Sequence, residues 1–220
     1  MANEYLTRTP TAVGNRKQFT ISFWVKNNLE DGNYFQQRED SNSSQQFGIQ
    51  DRTNDSQIRV IDQNSGSTTG LYDTLALYRD FSSWKHIMVS VDTTISITQS
   101  RLKLFVNGVE IRDFDSPNHW DSDYDTSVST TARILIGAQR PNSSATLNNY
   151  ATAQLLDYFY VDGKALSPDL FGFYKTGKGY QASGTDQGVD FRPGQWVPKR
   201  PSTIKNFINE SCGFGVNGFY

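Results

Sequence analysis

Apolar residues recur at every second position over short runs, and clusters of Gly, Asn, Asp and Ser interrupt them; a spacing of three and four residues is almost never sustained. This pattern predicts strands. In residues 19–26, Phe19, Ile21, Phe23 and Val25 share one side while Thr20, Ser22, Trp24 and Lys26 take the other, as in a half-buried strand. Residues 84–92 set Ile87, Val89 and Val91 against Trp84, His86, Met88 and Ser90. Residues 101–106 alternate into Asn107-Gly108, a pair that tolerates positive φ at both positions and closes a two-residue hairpin onto Val109-Glu110-Ile111. Weaker strands are predicted at 57–62, 71–78, 132–137 and 154–161.

Strands with one apolar face need a second such face to cover them. An all-β, two-sheet antiparallel sandwich provides it without helices, and a closed barrel is the weaker solution. The one helix signal is Ser167-Pro168-Asp169, where Ser can cap, Pro suits the first helical position and Asp suits the positive end of the dipole. It predicts one or two turns. Beyond Lys175 the chain is rich in Gly, Pro and Lys, and the prolines of residues 191–198 bar that stretch from a sheet interior. The expected division is a sandwich over 1–175 and an extended arm over 176–220. Two segments, 36–54 and 141–149, are dense in Gln, Asn, Ser and Asp and read as long surface loops. The Asn-Ser-Ser triplets at 42 and 142 are taken as loop composition.

Composition narrows the functional classes. The chain of 220 residues, 36% hydrophobic and 13% aromatic, suffices for one core. Lys and Arg total 21 against 23 Asp and Glu, a formal charge of −2 that gives no pull toward nucleic acid or acidic membranes. No stretch approaches the roughly 18 apolar residues of a membrane span. The first residues include Glu4 and Arg8 and lack the apolar run of an export signal, so a soluble product without such a signal is expected. Cys212 has no partner cysteine, which excludes a disulfide scaffold.

Taken in order, FTISFWVK, WKHIMVSVDTT, LKLFVNGVEI, ILIGA and LLDYFYVDGKALSP resemble a laminin G-like, concanavalin A-like jelly roll. The opening YLTRTP and GNRK and the closing VDGKALSP and WVPK are similar to the version found in virion proteins of marine tailed bacteriophages, over roughly residues 5–199. The resemblance implies a structural or adhesive part of a particle: a fibre, a tail protein or a head decoration. Other virion proteins and identical copies are the expected partners, host-surface glycans a further one, and the virion the location, after synthesis in the host cytoplasm without a signal peptide.

The same resemblance frames the search for chemistry. Glucanases on this architecture carry Glu-x-Asp-x-Glu along one strand, whereas here Glu4, Glu30, Glu39, Glu110 and Glu210 are scattered. A polysaccharide depolymerase is therefore the weakest class, and no enzyme is expected. The metal-binding series of legume-type lectins has no match. Only His86 and His119 could serve a nucleophilic triad, and neither lies in a nucleophile context; His86 reads as structural.

The remaining polar chemistry is His119-Trp120-Asp121-Ser122-Asp123-Tyr124-Asp125. Several uses stay open. Asp121, Asp123 and Asp125 supply hard oxygens for a structural calcium, or form a solvated acidic loop. Trp120 and Tyr124 offer flat faces to sugar rings, with Asp121, Asp123 and Asp125 accepting from hydroxyls, or they contact a neighbouring subunit. In the arm, Phe191, Trp196, Phe207, Phe214, Phe219 and Tyr220 are candidates for docking to a partner.

Overall fold

The computed structural model of the chain describes residues 4–26, 32–39, 45–52, 56–140, 146–175 and 195–204. The strands are β1 (Leu6–Arg8), β2 (Gln18–Lys26), β3 (Asn33–Arg38), β4 (Gln46–Arg52), β5 (Gln57–Asn64), β6 (Ser67–Thr74) and β7 (Lys85–Asp92). They continue with β8 (Leu102–Val106), β9 (Val109–Ile111), β10 (Phe114–Asn118), β11 (Arg133–Ile136), β12 (Gln154–Asp162), β13 (Gly172–Lys175) and β14 (Gln195–Pro198). A seven-stranded sheet, β1-β11-β3-β4-β5-β6-β10, faces a five-stranded sheet, β12-β2-β7-β8-β9, and β13-β14 form a separate ribbon. The expected antiparallel sandwich is present.

The alternation explains the main core. Phe19, Ile21, Phe23, Val25, Ile87, Val89 and Val91 enter it from the five-stranded sheet, and Phe35, Phe47, Ile49, Val60, Tyr72, Ile134 and Ile136 from the seven-stranded one. Each side chain removed from water contributes roughly 1.5–3 kcal/mol. Phe19 and Phe47 meet edge to face at 5.4 Å across the two layers. The Asn107-Gly108 turn is as predicted, with φ of 51° and 78°. Asn107 Oδ1 also accepts the His86 N–H at 2.9 Å, which ties the turn to β7.

Four expectations are corrected. First, β2 and β7 are buried on both faces, because Met88, Phe105, Phe159, Val161, Phe171 and Ile204 form a second core outside the five-stranded sheet. Small hydroxyls make this possible: Thr20 Oγ1 donates to the Lys164 carbonyl at 2.8 Å and accepts the Leu166 N–H at 2.9 Å.

Second, the stretch read as a loop at 36–54 holds the end of β3 and all of β4, with Phe47 and Ile49 fully buried. Third, the strand expected at 71–78 lies at Ser67–Thr74, and Leu75 and Leu77 beyond it are exposed. Fourth, residues 195–198 are a strand in spite of the nearby prolines. A two-stranded ribbon tolerates Pro198 as its last residue, paired with Gly172. The helix at Pro168–Leu170 is a single 3-10 turn without a side-chain cap from Ser167. Among the described residues no helix is long and apolar enough to cross a membrane.

Candidate functional site

The outer face of the seven-stranded sheet carries an ordered polar array. Register aligns Arg133 of β11, Arg38 of β3, Gln46 of β4, Gln63 of β5 and Thr68 of β6 in one row across five neighbouring strands. Their inward neighbours Phe47 and Ile134 lie in the core, so period-two alternation turns the row outward.

Hydrogen bonds fix the row. Arg38 Nη1 donates to Gln46 Oε1 at 2.7 Å, Gln46 Nε2 donates to Gln63 Oε1, and Gln63 Nε2 reaches Thr68 Oγ1 at 3.5 Å. Beside the row, Gln36 Nε2 donates to Gln46 Oε1 at 2.9 Å and to the Arg140 carbonyl at 3.2 Å. Gln36 Oε1 in turn accepts the Arg140 N–H at 2.7 Å. The Gln36 amide thus pairs with the main chain of Arg140 as a neighbouring strand would.

The two ends of this face differ in electrostatics. Toward β6, Arg59 grips Asp73 with two bonds of 2.7 Å, and Arg52 lies 3.6 Å from the same carboxylate. Toward β11, Arg38 is only 6% exposed, and its acceptor is a neutral amide. Burial first, and the charge of Arg140 second, hold the Arg38 guanidinium below its ordinary pKa. Amides supply both donors and acceptors and guanidiniums supply planar donor forks, the set that recognises hydroxyl and carboxylate groups.

Two buried carboxylates of the seven-stranded sheet are held by partners of the chain itself. Asp73 is engaged by Arg59 and Arg52. Asp62 is buried on the inner side, where burial raises its pKa and it accepts the Trp120 Nε1–H at 3.0 Å and the Ser127 N–H at 3.1 Å. That carboxylate is spent on the fold.

The site expected at residues 119–125 is largely corrected. Trp120 is 1% exposed and its ring lies against Tyr72, Phe47 and Gly70, so it offers no face to a sugar. Tyr124 is half-buried against the core. Asp121, Asp123 and Asp125 are exposed, and the Asp123 carboxylate lies 3.4 Å from Lys17 Nζ. Among the described residues no three His, Cys, Asp or Glu side chains gather to hold a metal ion.

Trp196, expected to dock a partner, is buried by its own chain. Its ring stacks on His86 at 6.0 Å and covers Gly108 and Gly172. Phe191, Phe207, Phe214, Phe219 and Tyr220 lie outside the described residues.

A separate cleft of about 450 Å³ lies between β1 and β12, lined by Tyr5, Leu6, Ile136, Leu155 and Leu156. Its apolar walls suit saccharide hydroxyls less well than the amide row does.

A sequence model of concanavalin A-like lectins and glucanases, of the laminin G type, matches residues 2–170. The chain belongs to the concanavalin A-like lectin/glucanase superfamily. Among solved structures, this superfamily member is similar to a heptameric SAP-like pentraxin from Limulus polyphemus, with 14% identity and a TM-score of 0.52, over 74% of this chain and 71% of that one. It is also similar to domains LG4-5 of the mouse laminin alpha1 chain, with 13% identity and a TM-score of 0.51, over 72% of this chain and 40% of that one. At such identities the likeness concerns the fold. Among curated protein sequences there is no match.

Proposed function

We propose that this superfamily member is a non-enzymatic component of a bacteriophage virion, in a fibre, tail or head decoration, that holds host-surface saccharides on the outer face of its seven-stranded sheet. The observation that carries this reading is the bonded row from Arg38 through Gln46 and Gln63 to Thr68. Interlinked amides are preorganised, so little side-chain entropy is lost when they take a ligand's hydroxyls. The phage setting is supported by the sequence resemblance that runs from the YLTRTP opening to WVPK. Copies on one particle multiply a weak single-site affinity.

Incubating the protein with a glycan array and, separately, with bacterial surface polysaccharides tests the saccharide-binding and non-enzymatic parts of the reading. Retention of a saccharide class without release of reducing ends is expected. Reducing-end release would make the protein a depolymerase, and the absence of any retention would refute saccharide binding.

A further inference from the structure

We propose that the Arg38 end of the row is an anion site, and that the saccharide held there is acidic, bearing a carboxylate or a sulfate ester. This rests on the glycan-binding reading above and specifies its ligand class.

The argument starts from an imbalance. Arg38 is 6% exposed, yet its hydrogen-bond acceptor is the neutral Gln46 Oε1, which it shares with Gln36. Its Nε is buried without a hydrogen-bond partner. A guanidinium has five donors, and a charge withdrawn from water is costly unless an opposite charge meets it. Among the described residues no carboxylate meets this one.

Two further arginines stand beside it. Arg140, itself 6% exposed, is fixed against β3 by the Gln36 amide and adds a second positive charge. Arg133 is the cross-strand neighbour of Arg38 on the other side. On the same face Arg59 donates to both oxygens of Asp73, the kind of carboxylate partner that Arg38 lacks among the described residues.

A carboxylate or sulfate oxygen seated at Arg38 would take the fork geometry that guanidinium favours. The rest of the ligand would continue along Gln46, Gln63 and Thr68. At ~4.8 Å between strands the five-strand row spans roughly 19 Å, room for several linked sugars. Arg133 and Gln46, on either side of Arg38, are partly exposed.

Isothermal titration of the full chain with an oligouronate, the same oligosaccharide after carboxyl reduction, its sulfated form and inorganic sulfate tests this. The oligouronate or the sulfated form is expected to bind at least ten-fold more tightly than the carboxyl-reduced one, and whichever is tighter identifies the anion. Arg38→Gln should bring the acidic ligand down to the affinity of the neutral one. Equal affinity of wild type for acidic and neutral forms, which needs no variant, would overturn the anion site while saccharide binding stands. Binding of inorganic sulfate without either acidic saccharide would overturn the saccharide assignment. No binding of any oligosaccharide would defeat the underlying reading itself. Arg140→Gln gives a second test should Arg38→Gln fail to fold, with the same loss expected and an unchanged affinity counting against the site.

Discussion

The indole Nε1–H of Trp196 donates a hydrogen bond of 3.2 Å to Nδ1 of His86, across 110 residues of sequence. The other ring nitrogen, Nε2, lies 2.8 Å from Ser22 Oγ. With Nδ1 accepting, Nε2 carries the proton and donates to Ser22, so the buried imidazole is neutral. This contact holds the β13-β14 ribbon onto the five-stranded sheet.

Trp196→Ala should therefore destabilise the whole sandwich. The ring fills the space above Gly108 and Gly172, where a Cβ would lie 2.5 Å and 2.4 Å from it. Removing a buried aromatic ring costs about 3 kcal/mol or more. Urea unfolding followed by circular dichroism should show a lower midpoint with an unchanged slope.

Acid should weaken the same contact. Burial lowers the His86 pKa from its ordinary 6.5 to about 4, so the unfolded chain binds the extra proton first. The contribution of neutral His86 is complete above pH 6.5 and is lost as pH falls toward about 4. Between pH 7 and 5 the loss is roughly 2 kcal/mol. His86→Gln should flatten this part of the stability profile, and an unchanged slope would show that other groups set it.

Trp120 should behave as a core residue. Asp62→Ala leaves the Trp120 and Ser127 N–H groups unpaired in the interior, at a cost of about 3 kcal/mol. Gly70→Ala would put a Cβ 2.4 Å from Trp120 Nε1. Overpacking of this kind costs roughly 1–3 kcal/mol. Both variants should lower the unfolding midpoint, whereas saccharide affinity measured below that midpoint should hold.

How far these features are legible in the sequence depends on which side of a strand carries the signal. Phe19, Ile21, Phe23 and Val25 announce β2 because their alternation is complete. In QFGIQDR only Phe47 and Ile49 mark the inner side, and the outward Gln46 and Gln50 give the segment a loop-like composition. The row was hidden because its residues are polar and are neighbours in space rather than in sequence. Pairing QFGIQDR with QIRVIDQN, which has the same spacing, is the signal that could have exposed it.

The loop at 119–125 misled for the opposite reason. Its aspartates stay in solvent while Trp120 turns inward to Asp62, a partner 58 residues earlier that no local pattern announces. Trp196 was hidden similarly, since a tryptophan among prolines gives no sign of the histidine it meets.

A double variant of the row, Gln46→Ala with Gln63→Ala, tests the outer face as the binding surface most directly. The measurement is retention on a glycan array beside wild type, at matched thermal stability. Wild type should retain a saccharide class and the double variant should lose at least ten-fold in affinity for it. Equal retention by both proteins would place the ligand elsewhere and contradict the account.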